Sequence, residues 1–285
     1  MRLLVRERTD EVIELDVKGA PLAFLNTIRR YALAKVPTYA IDEVMIVVNT
    51  SSMFDEVLAH RLALVPLKTE DVIDKIRNVD PELCEKCASS IPEGVDKSIC
   101  RECFVHMVLE AEATTSDITV YSGDIRSDDP YLVPAYNNIP IVMLAPGQRI
   151  AIEMKARIGR GLEHAKWSPA TIAVTKYVAN IRINKKLCNL CGKCIEVCPR
   201  GTLKIENGAI NVVDVYSCTL CKQCVKACPT KAIDIDNVED EYILRVESTG
   251  SLKPETIIRE AVYILLNELS EFEKLIGGIE KGVTQ

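Results

Sequence analysis

Residues 188 to 228 contain two copies of one cysteine phrase, and this repeat restricts how its segment can fold more than any other feature. The first copy reads CNLCGKCIEVCP and the second reads CTLCKQCVKACP. Each copy places four cysteines at C-x2-C-x2-C-x3-C spacing directly before a proline: Cys188, Cys191, Cys194 and Cys198 before Pro199, and Cys218, Cys221, Cys224 and Cys228 before Pro229. Thiolates at this density predict metal binding.

Each run resembles the cluster-binding run of bacterial-type ferredoxins, which hold two [4Fe-4S] clusters. In those proteins three cysteines of a run bind one cluster and the fourth binds the other cluster. The resemblance implies one cluster on Cys188, Cys191, Cys194 and Cys228 and another on Cys218, Cys221, Cys224 and Cys198. Disulfides or paired zinc sites are the alternatives, but zinc usually takes separate C-x2-4-C knuckles instead of a four-cysteine run closed by proline.

The segment from about Lys185 to Lys231 is too short to be stabilised by apolar burial alone. We therefore expect the clusters to form its centre. The apolar residues predicted to pack around them are Ile195, Val197, Ile210, Val225, Ala227 and Ile233. The rest of the chain, roughly 240 residues, must serve another purpose.

Length and composition narrow the class of protein. A chain of 285 residues predicts two or three domains, and 48% hydrophobic residues suffice for globular cores. No apolar run approaches the about 20 residues that a membrane span needs. The net charge of −6 argues against a dedicated nucleic-acid-binding protein. The charged opening, residues 1–7, predicts no signal peptide, so we expect a cytoplasmic protein with reduced thiols.

No catalytic motif stands out in the sequence. Only three histidines are present, His60, His106 and His164, which makes catalysis by paired imidazoles an unattractive hypothesis. The stretch Gly159-Arg-Gly161 lacks the third glycine of a dinucleotide fingerprint, and no Walker-type phosphate loop occurs. We predict that the chain has no active site of its own.

A second group of cysteines has the spacing of a zinc-knuckle pair. Cys84, Cys87, Cys100 and Cys103 form C-x2-C and C-x2-C separated by twelve residues. Four thiolates would close a tetrahedral structural site and leave no open position for catalysis, with His106 as a competing ligand. Disulfides or unligated surface cysteines are the alternatives.

Periodicity predicts helices and strands near both ends of the chain. Strands are expected at residues 3–5, 12–17 and 41–48. A helix should begin at Pro21 with apolar residues at a period near 3.6. A long helix should begin at Pro254 and end at Gly277-Gly278. Its apolar residues follow a heptad seam, Ile258, Val262, Leu265, Leu269, Phe272 and Ile276, which Ile257, Ala261 and Ile264 widen.

Four phrases, in the same order, resemble the alpha-like subunits of multisubunit RNA polymerases. PLAFLNTIRRYAL (21–33) and LAHRLALVPL (58–67) are similar to two signatures of that family. GLEHAKWSPA (161–170) is similar to a phrase of its archaeal and eukaryotic branch, and EYILRVESTGSLKPETIIREA (241–261) to the end of its dimerisation domain. A ferredoxin-like insertion with cysteines is typical of many archaeal members. The chain is therefore identified as a member of that family, from its archaeal branch.

The resemblance implies an α+β fold with three parts. Residues 1–48, 171–184 and 232–285 would form the dimerisation domain. Residues 49–170 would form an inserted, mostly β domain that carries the zinc loop. Residues 185–231 would form an inserted ferredoxin-like domain, because insertion is tolerated where the chain leaves and returns at neighbouring points.

The function that the resemblance implies is assembly of a DNA-directed RNA polymerase without catalysis. Expected partners are the small alpha-like subunit L, the large catalytic subunits and small zinc-binding subunits, with no sequence-specific contact to nucleic acid and none to a membrane. The pairs Arg29-Arg30 and His60-Arg61 and the stretch 164–167 would contact the large subunits, or else order loops and cap helix ends. An electron-transfer subunit of an oxidoreductase and a zinc-dependent nucleic-acid-binding factor are the rival hypotheses.

Overall fold

The computed structural model describes residues 1–77, 79–89, 100 and 103–282. Helices and strands both contribute, which confirms the predicted α+β class. The chain forms two compact units. The first comprises residues 1–6, 14–26 and 174–245, and the second comprises residues 7–13, 27–173 and 246–285. These units group the chain differently from the predicted three domains, whose boundaries stay a prediction.

The described strands are β1 (Arg2–Arg8), β2 (Val12–Lys18), β3 (Pro37–Asn49), β4 (Phe104–Glu112), β5 (Ile118–Tyr121), β6 (Arg126–Ser127), β7 (Pro140–Leu144), β8 (Arg149–Arg160), β9 (Ala170–Ile183), β10 (Leu203–Glu206), β11 (Ala209–Val212) and β12 (Ile233–Ser248). The described α-helices are α1 (Leu22–Ala34), α2 (Asp55–Ala63), α3 (Ile73–Ile76), α4 (Pro81–Ser89), α5 (Lys193–Glu196), α6 (Gln223–Ala227) and α7 (Pro254–Gly282). Short 3-10 helices occupy Glu70–Val72, Ser122–Asp124 and Ala165–Trp167.

The first unit contains a four-stranded sheet with strand order β1-β2-β12-β9. Along β2, Leu15 and Val17 are buried on one face, so the alternating residues Glu14, Asp16 and Lys18 point to the other face. The cysteine-rich segment leaves the end of β9 and returns at the start of β12. Because these strands are neighbours, the two ends of the segment lie together, and the amide of Asn184 donates to the carbonyl of Ala232 at 2.7 Å.

The cysteine-rich segment contains little regular structure. Strands β10 and β11 pair antiparallel, with Leu203 opposite Val212, and the short helices α5 and α6 each follow cysteines of one run. Its core consists of eight buried residues, Ala179, Cys194, Leu203, Ile210, Cys218, Cys224, Ile233 and Ile235. Three of these are cysteines. Of the residues predicted to pack around the clusters, Ile210 and Ile233 lie in this core and Ile195 and Val225 pack against it, whereas Val197 is 40% exposed.

The second unit contains a four-stranded sheet with order β3-β8-β4-β6 and a separate pair of strands, β5 and β7. Strand β8 is central and pairs antiparallel with both β3 and β4. Its side chains are buried at most positions, which fits a strand with neighbours on both edges. Helix α2 buries Leu58 and Leu62 completely.

A buried polar network follows the end of β8. Arg157, which is 4% exposed, donates to Asp42 at 2.8 Å, and Lys166 donates to the same carboxylate at 2.6 Å. Burial alone would raise the pKa of Asp42, but the hydrogen bonds from Lys166 and Arg157 hold it below its usual value. The ring of Trp167 lies against both cations, 4.4 Å from the guanidinium carbon and 4.2 Å from the ammonium.

This network helps to decide between the two roles predicted for residues 164–167, which are contact with the large subunits and ordering of a loop. Trp167 is 3% exposed, and the amide of Lys166 donates to Nδ1 of His164 at 3.1 Å. Arg61 donates to the carbonyl of Pro140 at 2.6 Å. These contacts within the chain favour the loop-ordering role for His164, Lys166 and Trp167, and also for Arg61. Arg29 and Arg30 lie in the second half of α1, as their place in the sequence indicates.

Both long helices begin next to the predicted prolines, α1 at Leu22 and α7 at Pro254. The predicted end of the long helix at Gly277-Gly278 is wrong, because α7 continues to Gly282. Glycine is free to adopt helical angles and costs a helix interior only about 1 kcal/mol relative to alanine, so two glycines weaken a helix without ending it. Among the described residues, no helix is long and apolar enough to span a membrane.

The turn after β8 packs against the end of α1. The amide of Leu162 donates to the carbonyl of Ala34 at 2.9 Å, which satisfies one of the free carbonyls at the helix end. A Cβ atom on Gly161 would lie 2.0 Å from the carbonyl oxygen of Leu33. Only glycine fits this approach of two backbone segments.

We predict that Gly161→Ala destabilises the second unit by about 1–3 kcal/mol, because a backbone atom and not a flexible side chain must move. Trp167 is the only tryptophan in the chain and is buried, so its fluorescence reports urea unfolding of this unit. Gly277→Ala is the control: no described atom lies within 4 Å of its added Cβ, and a helical alanine should stabilise slightly. An equal unfolding midpoint for Gly161→Ala and the wild type would contradict the prediction.

Candidate functional site

The two cysteine runs have the same backbone conformation. Leu190 and Leu220 occupy matching positions and both have positive φ, 57° and 55°. Two residues later, Gly192 and Lys222 match again, with φ of 75° and 57°. Leucine and lysine rarely adopt this region, so the conformation is imposed by something other than local preference. Loops of this kind turn successive backbone N–H groups toward one point, a concave surface that suits anions and iron–sulfur clusters.

Burial is matched at three of the four positions in each run; at the first position Cys188 is half-buried and Cys218 is buried. The third cysteine of each run, Cys194 and Cys224, is buried, and the second, Cys191 and Cys221, is exposed. The fourth, Cys198 and Cys228, is half-buried. The cysteines of each run therefore lie at different depths, from the buried interior of the module to its surface.

Sulfurs of the two runs come together in two groups. Burial raises the pKa of the Cys194 thiol, and the neighbouring charges of Cys188, Cys191 and Cys228 raise it further. Burial likewise raises the pKa of Cys224, and its charged neighbours are Cys198 and Cys218. A cavity is lined by Cys198 together with Cys218, Cys221 and Cys224. In both groups the fourth cysteine comes from the other run, which is the exchange that the ferredoxin resemblance implies.

Threonine hydroxyls reach the two exchanged cysteines. Thr202 lies 3.2 Å from Sγ of Cys198, and Thr230 lies 3.6 Å from Sγ of Cys228, which also accepts from the amide of Ala232 at 3.2 Å. Burial would raise the pKa of both thiols, but these hydrogen bonds and nearby backbone amides lower it below its usual value. The polar environment therefore favours the thiolate, which is the form that binds metal.

The arrangement fits a cluster better than a single ion. Among the described residues, no three histidine, cysteine or acidic side chains converge closely enough to share one metal ion. A cube of four irons holds its four thiolates farther apart than one ion does. The eight cysteines thus fit two [4Fe-4S] clusters, with Cys188, Cys191, Cys194 and Cys228 in one group and Cys218, Cys221, Cys224 and Cys198 in the other.

Local charge is a signal that the cysteine spacing does not contain, and it supports the same interpretation. Residues 185–231 contain eight cations and three anions, a net +5, whereas the rest of the chain carries −11. All eight cations are exposed: Lys185, Lys186, Lys193, Arg200, Lys204, Lys222, Lys226 and Lys231. Four thiolates outweigh the positive charge of an iron–sulfur core, so each cluster is an anion that these cations stabilise. A count of charges along the sequence would have revealed this.

The predicted zinc loop is not confirmed. Helix α4 places Cys84 and Cys87 one turn apart, but the structure joins Cys84 to Cys103 and Cys87 to Cys100 as disulfides, with Cα–Cα distances of 5.3 and 5.6 Å. The disulfide alternative thus describes this structure, against the expectation of reduced thiols. The two nested bonds hold Cys100 and Cys103 beside the helix that carries Cys84 and Cys87, but in this form no three of these side chains are placed to share one metal ion.

Comparison with protein families identifies two parts of the chain. Residues 44–177 match the RNA polymerase Rpb3/RpoA insert domain. Residues 180–241 match the 4Fe-4S dicluster domain. This second match supports the iron–sulfur interpretation of the two cysteine runs. Together the domains define the class of the protein: an alpha-like RNA polymerase subunit with an iron–sulfur domain.

Similar proteins narrow the class to one family. The chain is 38% identical to DNA-directed RNA polymerase subunit Rpo3 of Methanosphaera stadtmanae, over 93% of this chain and 94% of that protein. It is 39% identical to the Rpo3 proteins of Methanothermobacter thermautotrophicus (95% and 97% covered) and Archaeoglobus fulgidus (97% and 98% covered). The chain belongs to the Rpo3 family of archaeal DNA-directed RNA polymerase subunits. An electron-transfer subunit of an oxidoreductase is not favoured.

We predict that Thr202→Val lowers the reduction potential of the cluster bound by Cys198 by about 20–60 mV, the equivalent of one lost hydrogen bond. The reason is that a hydroxyl donor to sulfur stabilises the more negative, reduced cluster. The measurement is a redox titration followed by electron paramagnetic resonance. Thr202→Ser, which keeps the hydroxyl beside Sγ of Cys198, is the control. A shift for Thr202→Val no larger than the control's would refute the assignment of Cys198.

Proposed function

We propose that this chain is a non-catalytic assembly subunit of a cytoplasmic archaeal DNA-directed RNA polymerase, the larger of its two alpha-like subunits. It pairs with the small alpha-like subunit L through α1 and α7 and presents a platform to the large catalytic subunits. Small zinc-binding subunits join the same assembly, and nucleotide addition takes place in other subunits. The observation that carries the proposal is the exposed apolar face in the second half of α7.

The first half of α7 is fixed within the second unit. Ile257 and Ala261 are fully buried, and Glu260 is 1% exposed. Arg77 donates to both carboxylate oxygens of Glu260, at 2.8 and 2.6 Å. The carboxylate of Glu70 accepts from the amide of Lys253, just before the helix, at 2.8 Å. A helix held this way at one end has a defined direction, because a buried bidentate ion pair tolerates little movement.

The second half of α7 exposes large apolar side chains. They are Leu266, Leu269, Phe272, Leu275 and Ile276, with exposures between 42% and 69%. Leu269, Phe272 and Ile276 are three and four residues apart, so they form one stripe along the helix. A stripe of this kind marks an interaction surface, and its spacing suits another helix. We assign this surface to a second alpha-like subunit, the partner that the resemblance to the polymerase family implies.

The proposed task of the clusters is to keep the ferredoxin-like module folded. Three of the eight residues in its core are cysteines, so the apolar surface alone is too small to maintain the fold. Through the folded module the clusters support assembly of later subunits, without taking part in RNA synthesis. We also propose the three-domain division that the sequence predicts, with residues 185–231 as the ferredoxin-like domain.

We propose that the reduced form of the second cysteine group holds one structural zinc. Four thiolates are a complete donor set for a closed tetrahedral site. Cys84, Cys100 and Cys103 are buried, so a metal there would be shielded from water. His106 has an exposed side chain on β4 and is not needed as a ligand.

The pairing surface is tested by the double variant Leu269→Asp, Phe272→Asp. Both side chains are more than half exposed, so the chain itself should fold normally. Burying two unpaired carboxylates against a partner should weaken association with subunit L by more than about 100-fold. Size-exclusion chromatography and calorimetry measure the change. Ser270→Asp adds a charge on an exposed polar position and is the control. Pairing of the double variant at wild-type affinity would exclude this surface.

The zinc site is tested on the full chain under reducing conditions. We expect one equivalent of zinc, with four sulfurs at about 2.3 Å in X-ray absorption at the zinc edge, where iron does not interfere. Cys103→Ser should lose the metal while the iron content stays unchanged. Less than half an equivalent of zinc, together with freely titratable thiols, would exclude the site.

A further inference from the structure

The loop that leads into the second cysteine run is held on the sheet of the first unit by one aromatic residue, Tyr216. The guanidinium carbon of Arg6, on β1, lies 3.5 Å from the centroid of its ring. The hydroxyl lies 3.4 Å from Oδ2 of Asp16, on β2. The ammonium of Lys176, on β9, donates to its backbone carbonyl. Three strands therefore contact a residue two positions before Cys218.

The contact between Tyr216 and Asp16 involves a buried carboxylate. Its side chain is 2% exposed, and its Oδ1 has no hydrogen-bond partner in the part of the chain that the structure describes. The ammonium of Lys18 lies 3.9 Å from Oδ2 but only 2.8 Å from Glu241. A buried carboxylate with few partners depends strongly on each of them. Release of Tyr216 would remove a donor from Asp16 and disturb β2.

The turn between Tyr216 and the cysteines is internally hydrogen-bonded. Asp214 accepts from the amide of Tyr216 at 2.9 Å and from the hydroxyl of Ser217. The amide of Cys218 donates to the carbonyl of Val215 at 3.3 Å. Because these bonds close a compact turn, a displacement of Cys218 is transmitted to Tyr216.

The first run is attached differently. The amide of Cys188 donates to the carbonyl of Asn184 at 3.1 Å, and Arg200 donates to the carbonyl of Ser217 at 3.4 Å. These contacts join the first run to the residue after β9 and to the turn before the second run. The two runs share a backbone conformation but not their connection to the sheet.

We propose that Tyr216 couples the cluster of the second run to strands β1 and β2, so that the two clusters are not equivalent. Loss of the cluster on Cys218, Cys221, Cys224 and Cys198 loosens β2 through Tyr216 and Asp16. Loss of the other cluster leaves β2 unchanged. This inference rests on the proposed assignment of the clusters, and it makes Tyr216 a positioning residue that contacts no reacting group.

The test compares two matched variants of the full chain, reconstituted with iron and sulfide without oxygen. Cys191→Ser and Cys221→Ser replace the exposed second cysteine of each run, where a serine disturbs packing least. Each should lose about half of the iron. Hydrogen exchange of residues 14–18 should accelerate about tenfold in Cys221→Ser and stay at the wild-type rate in Cys191→Ser.

Variants of Tyr216 test the path itself. With the wild-type iron content, Tyr216→Ala should accelerate exchange in residues 14–18, and Tyr216→Phe, which keeps the ring over Arg6, should accelerate it less. Adding Cys221→Ser to Tyr216→Ala should cause no further acceleration, because the coupled residue is already absent. Tyr177→Phe, on β9 of the same sheet, is the control.

Three outcomes would overturn the proposal. Equal acceleration in Cys191→Ser and Cys221→Ser, with half of the iron lost from each, would show that the clusters are equivalent while leaving their assignment intact. Additive effects of Tyr216→Ala and Cys221→Ser would exclude Tyr216 as the path. Full iron content in both cysteine variants would refute the cluster assignment, and the coupling through Tyr216 with it.

Discussion

The first unit depends on cysteine sulfur for part of its core. Cys194, Cys218 and Cys224 are buried among five apolar residues, in a segment too short to hold an ordinary core. Thiols alone contribute little burial, so a core built this way is complete only when the sulfurs bind something. The strained leucines at matching positions, the threonines beside the exchanged cysteines and the local net charge of +5 all favour an anionic cluster.

The surface that suits a partner lies on α7. Its first turns are fixed by buried contacts, and its later turns expose leucines and a phenylalanine that water does not solvate well. Without a partner, this apolar face would stay exposed to water. In the proposed pairing with a second alpha-like subunit, this helix lies at the centre of the contact. In the same proposal the iron–sulfur module is an accessory to assembly.

Much of this was predictable because the determining signals are local. The cysteine spacing predicted the cluster domain, and the prolines at residues 21 and 254 marked the starts of the two long helices. The end of α7 was not predictable from its glycines, since their cost is small against the packing that holds a helix of this length. The disulfides of residues 84–103 were one of several states that the spacing allowed. The contacts of Tyr216 with Arg6 and Asp16 join residues about 200 positions apart, so no local pattern reveals them.

In the proposed function, the clusters maintain a structure used in assembly and take no part in RNA synthesis. This role is tested most directly by polymerase reconstituted with a chain in which Cys188, Cys191, Cys194 and Cys198 are serine. The quantity to measure is the elongation rate per assembled enzyme. We expect less iron, intact pairing with subunit L, a lower yield of complete polymerase and a normal elongation rate. An elongation rate that falls with the loss or oxidation of the clusters would contradict it.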